Sequence, residues 1–265
     1  MTSSTSGRRK RSDARRGVHE QLKSRASNDE LDCYRALSRL LAESPIPATE
    51  ILANLSLFLT RSSLSQIMFM SDLYSKILDV HGVVMEFGNR WGRNLALFST
   101  LRNILEPHNY GRKIVGFDTF EGFPAVAPED GTDAIIKTGA LSVAPGYKAY
   151  LHELLAVHER LSPRPHLRRF EIVEGDVAET VPAYLQRHPE TIIALAYFDM
   201  DLYVPTKATL EGILPYLAKG SIVGFDEMCL PEFPGETMAV REVLDLSLHS
   251  LTRSPYSNYQ SYVVI

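Results

Sequence analysis

From residue 83 onward the chain alternates short apolar runs with stretches of helical periodicity, and that alternation leaves few folds open. Val83-Val84-Met85-Glu86-Phe87, Lys113 to Asp118, Phe170 to Val173, Ile192 to Phe198 and Ser221 to Phe225 each read as a buried strand. Strands separated by helices need crossover connections, which build a parallel sheet covered on both faces. The last stretch, 248–265, reads as two strands around a turn at Ser254-Pro255. The expected fold is therefore α/β: a doubly wound, mostly parallel seven-stranded sheet with a C-terminal antiparallel hairpin on one edge.

The preceding sequence has a different character. Residues 1–28 carry Arg8-Arg9-Lys10-Arg11, Arg15 and Arg16 with few apolar side chains, the composition of a disordered basic tail. Residues 29–80 show helical periodicity, with Leu31, Tyr34, Leu37 and Leu41 on one face, a break at Pro45 and Pro47, a second stripe through Ile51, Leu55, Phe58 and Leu59, and a third through Ile67, Met70, Leu73 and Ile77. These helices are expected to form an N-terminal cap on a catalytic domain spanning 81–265.

A net charge of −4 argues against nucleic acid as a partner. No apolar run is long enough to span a membrane and the basic N-terminus lacks a signal-like apolar core, so the cytoplasm is the expected location. Cys33 and Cys229 are too few and too far apart for a disulfide framework or a metal knuckle.

In an open parallel sheet ligands bind beyond the carboxyl ends of the strands, and here those ends are acidic. The first strand runs into Glu86-Phe87-Gly88-Asn89-Arg90-Trp91-Gly92, an E-x-G-x-x-x-G string with Gly92 expected in the first turn of the next helix. The second ends at Asp118, where a carboxylate suits the vicinal hydroxyls of a ribose. The third is followed by Glu174-Gly175-Asp176-Val177, where an acid can accept from an adenine amino group or cap the next helix. Together they describe a nucleoside-shaped site. The fourth and fifth strands end in Asp199-Met200-Asp201 and Asp226-Glu227. Asp199, Asp226 and Glu227 are hard oxygen donors at neighbouring tips and suit Mg2+ or Ca2+. Residues 119–147, rich in Pro and Gly, leave from a strand's carboxyl end and read as a lid.

These strings resemble the macrocin-type sugar O-methyltransferases, within the class I, Rossmann-like methyltransferases that use S-adenosylmethionine. The resemblance runs from about Leu57 to the C-terminus and rests on Glu86-Phe87-Gly88, Phe117-Asp118-Thr119-Phe120-Glu121-Gly122-Phe123-Pro124, Gly175-Asp176-Val177, Asp199-Met200-Asp201-Leu202-Tyr203, and Gly220 through Glu227. It implies that Glu86 and Gly88 lie against the methionine part of the cofactor, Asp118 against the ribose, and Asp176 with Val177 against the adenine. Phe87, Asn89, Arg90, Thr119 and Gly175 complete the implied cofactor set. Asp199 and Asp226 match the family's metal ligands, and Glu227 stands where the family carries Asp. Asp201, or Asp199, is the candidate base, and Phe123, Tyr147 and Glu236 are candidate acceptor contacts.

The expected activity is methyl transfer to a sugar hydroxyl of a glycosylated natural product or its nucleotide-sugar precursor, assisted by Mg2+, in a homo-oligomer. Two alternatives share the site: a catechol-like or other diol acceptor, and a non-catalytic cofactor-binding relative. A nicotinamide oxidoreductase is disfavoured because the G-x-G-x-x-G fingerprint is missing.

Overall fold

The computed structural model describes residues 27–265. The expected basic tail lies outside the described residues except for its last two, and those already start a helix. Ser27 caps helix α1 (Asn28–Ala42): its hydroxyl accepts from Glu30 N at 3.2 Å, and the Glu30 carboxylate accepts from Ser27 N at 3.2 Å. After the proline break, α2 (Ala48–Ile51) runs into a 3-10 segment, Leu52–Phe58. The described residues up to Arg61 form one compact unit and Ser62–Ile265 a second.

Helix α3 (Arg61–Ser75) corrects the expected division. Its stripe was assigned to the cap, but Phe69, Met70, Leu73 and Tyr74 are buried in the core of the larger unit, together with Ile77. An amphipathic stripe reports that one face is covered, not by what, so periodicity alone does not assign a helix to a domain.

The strands are β1 (Val83–Phe87), β2 (Ile114–Asp118), β3 (Phe170–Glu174), β4 (Ile193–Phe198), β5 (Leu217–Phe225), β6 (Thr252–Arg253) and β7 (Ser261–Val264). They form one seven-stranded sheet in the order β3-β2-β1-β4-β5-β7-β6. The first five are parallel, β7 is antiparallel to β5, and β6 is antiparallel to β7, as the sequence pattern led one to expect. Alternate residues of the central strands enter opposite cores. Phe87, Phe117, Phe198 and Phe225 face α6 (Val177–Arg187), α7 (Tyr203–Ile213) and α8 (Pro234–Val243). Val84, Ile114, Leu195 and Ile222 face α3, α4 (Arg93–Leu105) and α5 (Tyr147–Arg160). No helix among the described residues is long and apolar enough to cross a membrane.

Strand order reverses at β1, whose neighbours are β2 and β4, and the crevice at such a reversal is where ligands enter this class of sheet. The backbone there is tightly crossed. Gly88 has φ +87°, and a β-carbon on it would stand 1.9 Å from Asp199 O. Gly92 is not in the helix as expected. It is the left-handed N-cap of α4, and a β-carbon there would meet Leu151 Cδ1 at 2.4 Å, so this glycine serves helix packing and not a ligand.

The long segment after β2 has only one helical turn of its own, Pro128–Asp130, before α5 begins at Tyr147. It is pinned at several points. Buried Asp130 accepts from Ala127 N and from Tyr203 N at the start of α7, both at 2.6 Å. Arg90 Nε donates to Leu141 O at 3.2 Å, and Phe123 N to Ala140 O at 3.0 Å.

Gly88→Ala should cost at least about 2 kcal/mol of stability, through the β-carbon overlap and the left-handed backbone. Urea unfolding measures it, and an unchanged midpoint would refute the close crossing.

Candidate active site

The parallel pairing of β4 with β5, Phe198 opposite Phe225, sets Asp199 beside Asp226 and Glu227. The backbone contacts continue past the strands: Asp199 N donates to Phe87 O at 2.9 Å, and Asp226 N to Phe198 O at 3.1 Å. One carboxylate oxygen from each of Asp199, Asp226 and Glu227 lies within 4.8 Å of the others. The sequence-predicted ligand trio is therefore brought together. Asp201, in the left-handed conformation at φ 64°, has the Glu227 carboxyl as a neighbour that favours its ionised form.

So many acids at one place cannot all be ionised cheaply. Burial, reinforced by their mutual repulsion, pushes the carboxyls of Asp199 and Glu227 well above the ordinary range. Asp201 is pushed up to about 6, again chiefly by burial. Arg90 faces Asp199, Asp201 and Asp118, and its own burial lowers its pKa, while Arg93 brings a second positive charge towards Asp199 and Glu86.

On the β1–β2 side, Asp118 lies at its strand tip and accepts from Arg90 N and Phe120 N, both at 2.6 Å. Each oxygen keeps a lone pair for a further donor. Gly175 N donates to Asp118 O at 3.0 Å, which holds the β3 loop beside it. Asp176 caps α6 by accepting from Ala178 N at 2.9 Å, and Val177 is buried behind it. Glu86 is almost fully buried; its Oε1 accepts from Asn94 Nδ2 at 2.8 Å, while its Oε2 has no partner among the described residues. The Asn89 amide is buried with neither polar atom satisfied. Phe87 was included in the cofactor set, but its ring packs in the core between Phe117 and Phe198, at 5.3 and 5.0 Å. The Thr119 hydroxyl is consumed by its own turn, donating to Gly122 O at 2.7 Å.

The candidate acceptor contacts fare unevenly. Phe123 is buried within the long segment. Tyr147 stands edge-on to Trp91, and its hydroxyl donates to Trp91 O at 3.0 Å. Glu236 is fully buried under the acid cluster, where its Oε1 accepts from Glu227 N at 3.0 Å. It thus supports the turn carrying Asp226 and Glu227. Its place in the first turn of α8 was legible, but the loop that folds over that turn was not.

A solved calicheamicin methyltransferase, CalS11, is 45% identical over 99% of this chain and 99% of its own, with a TM-score of 0.88. A second structure, described as apo CalS11, TDP-rhamnose 3'-O-methyltransferase, an enzyme in calicheamicin biosynthesis, is also 45% identical, covering 91% of this chain and 96% of that one at a TM-score of 0.80. The chain belongs to the sugar O-methyltransferase family. The O-methyltransferase NovP, 18% identical over 76% of this chain and 79% of its own at a TM-score of 0.57, shares the fold. No protein-family model matches the chain, and a search of curated proteins returns no match.

As a member of this family the protein is an S-adenosylmethionine-dependent O-methyltransferase. The residues present fit that cofactor: the orphaned Glu86 Oε2 and Asn89 amide are buried polar atoms left for a ligand's donors and acceptors. The acid trio likewise fits a divalent cation, whose charge would relieve the repulsion among its oxygens.

Sequence reasoning missed the residues that hold Asp226. Tyr197 donates its hydroxyl to Asp226 Oδ1, and Gln260 Nε2 donates to the same oxygen at 2.7 Å. Gln66, which bonds Gln260, is one signal that was available: a polar residue on the α3 face that otherwise carries Phe69, Met70 and Leu73.

The raised acids give the free protein a pH dependence. Glu86 is pushed up to about 8 by burial and Asp201 to about 6. An acid whose pKa is higher folded than unfolded binds more protons in the folded state across the interval. Stability should therefore be greatest near the unfolded value and fall as pH rises from about 4.5 towards about 8. Thermal unfolding in chelator should show a decreasing midpoint over that range, and added Mg2+ should recover most at the alkaline end. A midpoint that rises with pH would mean these acids are ionised and already compensated.

Proposed function

We propose that this enzyme methylates a sugar hydroxyl on a nucleotide-sugar or glycosylated natural product, with a divalent cation, Mg2+ by its all-oxygen donors, held by Asp199, Asp226 and Glu227. The observation that carries the reading is the trio of carboxylate oxygens within 4.8 Å at the tips of β4 and β5, in a chain 45% identical to an enzyme named for 3'-O-methylation of TDP-rhamnose.

S-adenosylmethionine supplies an electrophilic methyl group on a positively charged sulfur. Glu86 and Gly88 would hold its methionine part, Asp118 its ribose hydroxyls, and Asp176 with Val177 its adenine, with Asn89 and Arg90 between them. Support comes from the partnerless Glu86 Oε2 and from the free lone pairs of Asp118 at the next strand tip. Displacement at carbon needs oxygen, methyl and sulfur in line, so much of the chain's contribution is alignment.

A divalent cation supplies a Lewis acid that lowers the pKa of a sugar hydroxyl. Asp199, Asp226 and Glu227 bring the charge and geometry for it. Asp201 is the base in this reading: its pKa near 6 leaves it ionised at neutral pH yet basic enough to take a proton, and Arg90 beside it favours the ionised form. The segment 119–147, tied to Arg90 through Leu141 O, excludes water from both substrates.

Incubation with S-adenosylmethionine and a panel of TDP-deoxysugars should give a product heavier by one methyl, and EDTA should suppress it. Asp199→Asn and Asp226→Asn should each lower kcat about 100-fold or more while binding of S-adenosylhomocysteine persists. Asp118→Ala should instead weaken S-adenosylhomocysteine binding about tenfold or more. Full turnover in EDTA with both cluster variants active would eliminate the cation; methylation of catechols in preference to every sugar tested would eliminate the acceptor class.

A further inference from the structure

Behind the site runs a buried line of side chains that joins the two halves of the crevice. Asn94, in the first turn of α4, donates from Nδ2 to Glu86 Oε1 at 2.8 Å. Gln66 on α3 donates from Nε2 to Asn94 Oδ1 at 3.4 Å. Gln260, just before β7, donates from Nε2 to Gln66 Oε1 and, at 2.7 Å, to Asp226 Oδ1. Tyr197 donates to that same Asp226 oxygen. Every link between the two acids is at most 6% exposed.

The direction of these bonds is not free. Glu86 Oε1 and Asp226 Oδ1 both accept here, and an amide offers one accepting end and one donating end. Three amides strung between two acceptors therefore require one of them to donate both ways and leave its oxygen unused. Gln260 is that amide: its nitrogen serves Gln66 and Asp226, and its Oε1 is buried without a partner. The acids at the ends thus require one doubly donating amide, and the fold places that role on Gln260. A half-used buried amide has a cost that interlocking among the amides alone would not require.

We propose that this amide line, centred on Gln66, couples the cofactor half of the site to the cation half, so that a ligand on Glu86 orders Asp226 in advance and the two ligands bind cooperatively. The inference rests on the reading of Glu86 as a cofactor contact and Asp226 as a cation ligand. A ligand donor on the free Glu86 Oε2 fixes that carboxylate, which fixes Asn94, Gln66 and Gln260 in turn. Asp226 is then held with Oδ1 saturated by Gln260 and Tyr197 and with its other oxygen left for the cation. Ordering done by the first ligand is not required again by the second, which is a sufficient cause of positive coupling. Outer hydrogen bonds of this kind also orient metal-binding carboxylates. Gln66 touches neither Glu86 nor Asp226, so it is a positioning residue and the clean place to cut.

The test is calorimetric titration of Mn2+ into the full-length protein, with and without saturating S-adenosylhomocysteine. Wild type should bind Mn2+ about fivefold or more tightly when S-adenosylhomocysteine is present. Gln66→Met removes both bonds at near-constant volume, and Gln66→Glu keeps the bond from Gln260 while losing the donor to Asn94. Both variants should bind each ligand alone within about threefold of wild type and show a coupling factor near one. Using two cuts of different chemistry keeps a packing defect in either from deciding the result. Equal Mn2+ affinity with and without S-adenosylhomocysteine in wild type would overturn the coupling and leave the cation seat intact. Coupling preserved in the Gln66 variants would reduce the line to packing. No Mn2+ uptake by wild type would overturn the cation seat and the coupling together.

Discussion

Negative charge held out of water at the tips of β1, β4 and β5 is the constraint around which the rest of the molecule is arranged. Glu86, Asp199, Asp201, Glu227 and Glu236 are all raised in pKa, and burial is the first cause for each. Such a cluster is costly in the free protein and is tolerated only where each oxygen has a donor, a proton or a ligand. The structure supplies donors from unexpected quarters: backbone Glu227 N to Glu236, Tyr197 and Gln260 to Asp226, Asn94 to Glu86. Arg90 brings opposing positive charge.

The topology explains why this charge collects at one place. In the order β3-β2-β1-β4-β5 the chain reverses direction of travel across the sheet at β1, and the loops after β1 and β4 leave from adjacent tips. The approach is so close that Gly88 has no room for a side chain against Asp199 O. That contact fixes how closely the loop after β1 approaches the loop bearing the acid cluster.

The segment 119–147 extends the same logic. It would be a mobile excursion by composition, but buried Asp130 ties it to the start of α7, and Arg90 ties it to the β1 loop. These bonds fasten the segment at two points, one at α7 and one at the loop after β1.

How much of this was written in the linear sequence depends on the range of the interaction. Alternating apolar runs fixed the seven strands, their mostly parallel order and the terminal hairpin, because pleat and helix periods are local properties. Acids directly after apolar strands announced the site, since such residues are seldom buried without a purpose, and Asp199, Asp226 and Glu227 do converge. What only tertiary structure decided was partnership across long separations. Gln66 and Gln260 are 194 residues apart and meet; α3 joins the core in place of a cap; Glu236 holds the backbone of Glu227; the Phe87 ring packs between Phe117 and Phe198. A side chain's neighbours depend on the packing of elements distant in the chain, and no periodicity records those.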